Sequence, residues 1–335
     1  MIRYTEYGVP HILAADHAGL GYGQGYAQAR DNLCVLALTH VQAAGESARH
    51  LGPGEDGANV AADAWFHEVN SSGVVDRLLA QAAPRGPGPE VRALVEGYAG
   101  GYNRYLADVG GAAGVTDPAC RGAAWVRPVS ALDIWRALLA AMPATLDQMM
   151  AGSATAQPPG AARAVPVGPA VLRGLRARTG GDGGPARGSN ALAVGRAGAA
   201  DGVRSVHVAN PHFPWHGASR FYRAHLTIPG VVDAAGAAIL GAPLLVHGHN
   251  HDVAWAHTVS TAQTHGLFRL TLAADDPTSY LVDGAPEKMV RRDVRVEVRQ
   301  PGGGITTVTL RRWSTRYGPV VTSFDGRAYP WTRRH

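Results

Sequence analysis

The sequence predicts an α+β protein in which a helical N-terminal segment is followed by a β-rich segment. Three observations carry this reading. Through the first 150 residues, apolar side chains recur at helical spacing. From Ser189 onward, short apolar runs are punctuated by Gly, Pro and Asp turns, the pattern of strands. Between them, Arg173 to Arg187 is a Gly/Pro/Arg run that cannot bury enough apolar surface to offset its ordering entropy.

A chain of 335 residues has room for two domains or one large one, with ample capacity for a core. Its formal charge of +5 comes from Arg scattered along the chain, with Lys nearly absent. No basic stripe with interleaved aromatics forms, so nucleic acid is not an expected partner. No apolar run approaches the roughly 20 residues that a membrane span needs. Met1 to Tyr7 reads as folded-domain sequence, not as a leader. Cys34 and Cys120 leave two readings open: one disulfide in an exported protein, or two buried thiols.

The elements follow in order. Ile2 to Tyr7 is extended, Gly8-Val9-Pro10 turns, and His11 to Ala14 is a second short strand. Gly19, Gly21, Gly23 and Gly25 alternate without the spacing of a dinucleotide fingerprint, and read as a close-packed turn into a helix. Helical spacing then runs from Tyr26 to Leu51, where Gly52-Pro53-Gly54 stops it. Further helices are expected at Ala61–Phe66, Val74–Ala83, Pro89–Val109 and Ala131–Met150. The last is opened by Ser130 as N-cap, with Asp133 three residues on. On that helix Met142, Leu146, Met149 and Met150 form a core patch. Strands are expected at Ala191–Val194, Ser205–Ala209, Phe221–Ile228, Val231–Leu240, Pro243–His247, Val253–Thr258, Leu267–Ala273, Ser279–Val282, Asp293–Arg299 and Thr306–Trp313. The apolar run Pro243–Val246 suits a strand covered on both faces.

Chemistry gathers at a few places. Gly188-Ser189-Asn190-Ala191 lies where the flexible run meets a strand. Cleavage there would free Ser189, with its hydroxyl as nucleophile and its own α-amine as base; the plain alternative is a linker followed by a strand. In Asn210-Pro211-His212-Phe213-Pro214-Trp215 two prolines stiffen a turn and hold His212 and Phe213 in fixed directions. His247-Gly248-His249-Asn250-His251-Asp252 puts three His on alternate residues, which opens a metal-dependent hydrolase as an alternative. No complete second ligand set stands out beside it. Trp255 to Thr261 is a strand end able to offer a backbone N–H to an oxyanion. Neither Gly-x-Ser-x-Gly nor His-Glu-x-x-His occurs, which weakens a serine esterase and a zincin.

Taken together, Tyr7–Ile12, Gly25–Asn32, Thr116–Gly122, Gly188–Ala191, Asn210–Trp215 and Ala254–Thr261 make the chain resemble the penicillin acylase family of N-terminal-nucleophile hydrolases. It is most similar to the branch that holds aculeacin A acylase and the acyl-homoserine-lactone acylases. The resemblance implies an αββα sandwich, present here in part. It implies a precursor that cuts itself between Gly188 and Ser189, giving a helical small subunit (1–165), a lost spacer (166–188) and the first part of a β-rich large subunit (189–335), the two subunits forming a heterodimer. It implies hydrolysis of an acyl amide (a lipopeptide, a lactone signal or a β-lactam) through an acyl-enzyme, without cofactor or metal, in a secreted or periplasmic protein. Ser189 is then the nucleophile, His212 helps fix its amine, and the Val259 N–H is an oxyanion donor. Phe213, Ile239 and Ala242 line the acyl pocket. A second oxyanion donor, an asparagine, belongs to a portion of the family's large subunit that lies beyond this sequence. An incomplete, catalytically impaired chain is therefore the expectation that competes with a working acylase.

Overall fold

A computed structural model of the chain describes residues 1–141, 152–154, 156–158, 188–258, 265–324 and 327–333. In chain order the helices are α1 (His17–Ala44), α2 (Ser47–Leu51), α3 (Ala58–Ser71), α4 (Val74–Leu79), α5 (Pro89–Asp108) and α6 (Ala131–Ala140). Two strands, β1 (Ile2–Tyr4) and β2 (Pro10–Leu13), precede them. After them come β3 (Gly188–Val194), β4 (Val206–His212), β5 (Phe221–Ile228), β6 (Val232–Ile239), β7 (Leu245–His249) and β8 (Ala254–Trp255). The remaining strands are β9 (His265–Leu267), β10 (Leu272–Ala273), β11 (Asp276–Val282), β12 (Ala285–Lys288), β13 (Val290–Arg299), β14 (Ile305–Thr315), β15 (Gly318–Phe324) and β16 (Arg327–Arg333). The α+β class and the order of helices before strands hold.

Two compact units share these elements. The first takes Met1–Ala43, Val74–Ala141 and Ala186–Ser260; the second takes Ala44–Gly73, Met142–Pro185 and Thr261–His335. Each unit draws on both the helical and the β-rich part of the sequence. The expected segments 1–165, 166–188 and 189–335 would be a division by cleavage, a different kind from this one.

In the first unit a six-stranded sheet runs β1-β2-β5-β6-β7-β8, antiparallel except for the parallel pair β2–β5. Ile12, Ala224, Leu226 and Ile228 bury one part of it with Leu20, Ala27 and Leu94 of the helices. A larger cluster gathers Leu33, Leu36, Val95, Tyr98, Tyr102 and Ile134. The Cys34–Cys120 disulfide ties α1 to the loop ahead of α6, with Cα atoms 5.5 Å apart, and so decides between the two cysteine readings. Ser130 and Asp133 form the reciprocal capping box that opens α6. The Met142–Met150 patch lies outside the described residues.

The alternating glycines are where the sequence reading needs correction. They lie inside α1, which begins at His17. Their relevant spacing is four, not two. A Cβ on Gly21 or Gly25 would sit 2.0 Å from the carbonyl oxygen of Leu94 or Tyr98, and one on Gly97 or Gly101 would sit 1.9 Å from that of Ala18 or Tyr22. Glycine costs about 1 kcal/mol per position in a helix. Here that cost is offset by letting α1 and α5 pack backbone against backbone.

Other differences are smaller. Asn210, Pro211 and His212 belong to β4, and the turn starts only after them. Among the described residues β4 pairs with β3 alone, and Pro211 is tolerated on such an edge, where no ladder donor is needed. Leu244 is 42% exposed and β7 starts at Leu245, so the Pro243–Val246 run is not covered on both faces. The Leu267–Ala273 strand is split into β9 and β10, and β12, β15 and β16 had no counterpart in the sequence reading.

The second unit packs Val296, Val298 and Leu310 of β13 and β14 against Ala48, Val60, Ala61 and Ala64 of α2 and α3. Its sheets run β10-β11-β12 and β13-β14-β15-β16-β9. No helix among the described residues is long and apolar enough to cross a membrane.

Candidate active site

The site is built on the β3–β4 ribbon of the first unit. Alternating Ala and Leu through Val194 make β3 a strand, and its register with β4 sets which residues meet. Gly188 pairs with His212, Ser189 with Pro211, and Asn190 with Asn210. The half-buried Ser189 donates its Oγ hydroxyl to the Gly188 carbonyl oxygen at 2.5 Å. The hydroxyl therefore lies against the peptide group that joins it to residue 188.

His212 is exposed and flanks the same peptide group. A methyl group built on Gly188 would come 3.4 Å from its Nδ1, ordinary contact distance, which places the ring beside this residue. The other ring nitrogen, Nε2, lies 3.5 Å from Asn190 Nδ2 and 3.3 Å from Asn210 Nδ2. With both side-chain amides donating, Nε2 is an acceptor and the neutral ring carries its proton on Nδ1, on the Gly188 side.

A cavity of about 350 Å³ opens beside this ribbon, lined by residues of β4 (His207, Ala209, Pro211) and of β5, β6 and β7. Pro211, the register partner of Ser189, is part of its wall. Phe221, Ala237 and Gly236 give it apolar surface; Arg223, His247 and His249 add polar groups. Phe221 is central to the wall. Its ring centroid lies 5.3 Å from that of Phe213 and 5.0 Å from that of His247. His247 is buried, and its Nδ1 accepts the His257 backbone N–H at 3.2 Å. That bond leaves the proton of the neutral ring on Nε2. Burial first, and then His257 and His207, hold its pKa below the usual imidazole value.

The expected site residues are therefore brought together unequally. Gly188, Ser189 and His212 meet directly. Phe213 reaches the cavity wall through Phe221, and Ile239 is the register partner of Phe221 across β5 and β6. Ala242 does not line the cavity; it sits in the turn after β6, where its carbonyl accepts from Gln28 Nε2 at 3.2 Å. Val259 lies outside the described residues. Among the described residues no three His, Cys, Asp or Glu side chains converge as a metal site. In the His247–His251 run, His247 turns into the cavity wall while His251 pairs with Asp252 at 3.2 Å. The importance of Phe221 was missed. Its only sequence signal was a place at the head of a strongly β-patterned run.

The penicillin amidase family profile matches residues 1–335, and the chain belongs to that family. Aculeacin-A acylase of Actinoplanes utahensis is 44% identical over 330 residues, which are 96% of this chain and 40% of that protein. The acyl-homoserine lactone acylase PvdQ of Pseudomonas putida is 43% identical over 328 residues, 96% of this chain and 41% of that protein. A solved structure of the thermostable penicillin G acylase from Alcaligenes faecalis, in tetragonal form, is 29% identical with a TM-score of 0.34, covering 42% of this chain and 71% of that one. The chain thus spans about 40% of the length of the acylase relatives it matches most fully.

Proposed function

We propose that this chain serves an amidohydrolase of the acylase type, which removes a hydrophobic acyl chain from an amide with Ser189 as an N-terminal nucleophile. The observation that carries the reading is the Ser189 hydroxyl held against the Gly188 carbonyl, opposite His212, in a chain that matches one amidase family from end to end. The names of the relatives, aculeacin-A acylase and acyl-homoserine lactone acylase, support an acyl amide as substrate.

In this reading the chemistry has two stages, self-cleavage and turnover. Ser189 Oγ attacks the Gly188 carbonyl carbon, and the bond from that carbon to the Ser189 nitrogen breaks. The nitrogen leaves as an amine, carrying the proton the hydroxyl gave up. Water then hydrolyses the resulting ester, leaving a carboxylate on Gly188 and a free α-amine on Ser189. Such an amine has a pKa of about 7.7–8, so a useful share is neutral near pH 7 and accepts a proton. It sits on the same residue as the hydroxyl and is positioned at no further entropic cost. In turnover Oγ attacks the substrate carbonyl, an acyl-enzyme forms, the amine product leaves, and water releases the acid. His212, in this reading, fixes the α-amine, the Val259 N–H serves as an oxyanion donor, and Phe213 and Ile239 border the acyl side. In this reading the fold is part of an αββα sandwich, the products of cleavage stay together as a heterodimer without a cofactor, and the protein works outside the cytoplasm.

Mass spectrometry and an amide-cleavage assay of the purified protein test the proposal. The proposal expects a product beginning at Ser189, an intact Ser189→Ala protein, and release of acid from an acyl amide. Cleavage without turnover leaves the self-cleavage step standing and counts against the acylase step. A wild-type chain that stays uncut under folding conditions that preserve its secondary structure overturns the nucleophile assignment.

A further inference from the structure

The motif Gly25–Asn32 is not used by the chemistry above, yet it carries an irregularity inside α1. Asn32 has φ −146° and ψ 28°, outside helical values, in the middle of a helix that continues to Ala44. The break in the helix coincides with two side-chain bonds to the start of β5. Asn32 Oδ1 accepts from the Arg220 guanidinium at 2.6 Å, and the neighbouring Asp31 Oδ2 accepts the Tyr222 hydroxyl at 2.7 Å.

Arg220 and Tyr222 are the two residues that flank Phe221. Side chains alternate along a strand, so 220 and 222 share one side and 221 takes the other. The two bonds therefore grip β5 from behind the ring that lines the cavity. The same helix also holds the end of β6 that pairs with this start of β5. Fully buried Gln28 accepts the Gly241 N–H at 2.8 Å and the Tyr98 hydroxyl at 2.7 Å, and fully buried Gln24 donates to the Pro243 carbonyl at 3.0 Å. Leu240 N–H bonds the Arg220 carbonyl at 3.0 Å and joins the two strands there. At the end of the β5–β6 pair that carries Phe221, both chain segments are thus bonded to α1.

We infer that Asp31 and Asn32 are positioning residues that set the placement of the Phe221 ring, and through it the acyl groups the cavity accepts. The substrate half of this inference rests on the acylase reading; the placement half does not. The kink at Asn32 brings two consecutive polar side chains onto one strand, which a regular helix would splay by about 100°. Neither residue touches the nucleophile.

The test uses the full chain, with Asn32→Leu, Asn32→Asp and Tyr222→Phe. Para-fluorophenylalanine placed at position 221 reports ring placement by fluorine NMR. A single narrow resonance is expected in the wild type and in Asn32→Asp, which keeps an acceptor for Arg220. Asn32→Leu and Tyr222→Phe are expected to shift or broaden it while circular dichroism stays native. Acyl para-nitroanilides give the second readout. For an acyl group large enough to reach the ring, KM rises about tenfold in Asn32→Leu, the size expected for one charge-assisted hydrogen bond. For the acetyl substrate kcat changes by less than about threefold, and Asn32→Asp restores the wild-type pattern. An unchanged fluorine resonance in Asn32→Leu and Tyr222→Phe overturns the inference. So does an equal loss of kcat for every acyl group. A wild type that cuts no amide counts against the acylase reading alone, because the fluorine readout still decides the placement.

Discussion

In the first unit two long helices meet backbone against backbone; in the second a fully buried cation sits among its partners. Four glycines let α1 and α5 approach until no Cβ fits between them, and a disulfide locks the same helix to the loop before α6. The second unit instead buries Arg312, 2% exposed, whose guanidinium pairs with Glu68 at 2.7 Å, donates to Ser153 Oγ at 2.7 Å and lies 5.0 Å from the Trp65 ring centroid. It also buries Asp63, which accepts the Ser47 and Ala48 N–H groups at the start of α2 at 3.0 and 2.6 Å. One core is specified by the absence of side-chain volume, the other by buried charged groups set beside partners. They should fail under different insults.

The largest effect is expected from the covalent lock. Replacing both Cys34 and Cys120 by Ser frees a loop with a sequence separation of 86 residues. Denaturant unfolding followed on the first unit should show a loss of about 4 kcal/mol. A loss under about 1 kcal/mol would mean the noncovalent contacts already hold the loop.

Next comes the buried cation. Arg312→Met leaves Glu68 without its partner and should cost about 3 kcal/mol, while Arg312→Met with Glu68→Gln should recover most of it, because the penalty is an unpaired charge. If the double variant is as unstable as the single one, packing against Trp65 is the larger contribution.

The glycine contacts rank third. Gly25→Ala gains helix propensity but drives a Cβ into the Tyr98 carbonyl, for a net loss of about 2 kcal/mol. A Cβ at Gly304 in the second unit would meet nothing within 4 Å, so Gly304→Ala should be neutral. Equal melting temperatures for the two variants would contradict the backbone-on-backbone account.

The smallest net effect is pH dependence, because the two units oppose each other. Burial pushes His40 in the first unit down to about 4 and Asp63 in the second up to about 6. Below an unfolded value of about 6.5 the unfolded chain takes a proton that folded His40 refuses, so the first unit loses about 3 kcal/mol as pH falls from 6.5 to 4. Folded Asp63 keeps a proton that the unfolded chain has lost above about 3.9, so the second unit loses about 3 kcal/mol as pH rises from there to 6. His40→Phe should flatten the first slope and Asp63→Asn the second. Slopes of one sign in both units would refute the pairing.

The sequence disclosed much of this, unevenly. Helix α5 was legible from Pro89 and its apolar stripe, α6 from its capping box, and β5 from Phe221-Tyr222 at its head and Thr227-Ile228 at its end. The glycines of α1 were misread because alternation and a four-residue spacing coincide at Gly21 and Gly25. Only the partner glycines on α5, seventy-odd residues away, settle which period matters. Ser189 was visible as a serine at the junction of a flexible run and a strand. Its pairing with the His212 region was not, since register is fixed by two strands together. Asp31 and Asn32 were quoted as part of a motif but given no task, because polar residues on a helix read by default as a solvated face. Their signal was the polar series Gln24, Gln28, Asp31 and Asn32, which marks one side of α1 at helical spacing.

The disulfide has a consequence for how a matured protein would reassemble. The sequence holds two cysteines, and both precede residue 188. Were the bond before Ser189 cut, the Cys34–Cys120 bridge would stay within the product that ends at Gly188 and would not tie it to the product that begins at Ser189. Reunion of the two after denaturation would not draw on that bridge and would be rebuilt from strand pairing and side-chain contacts.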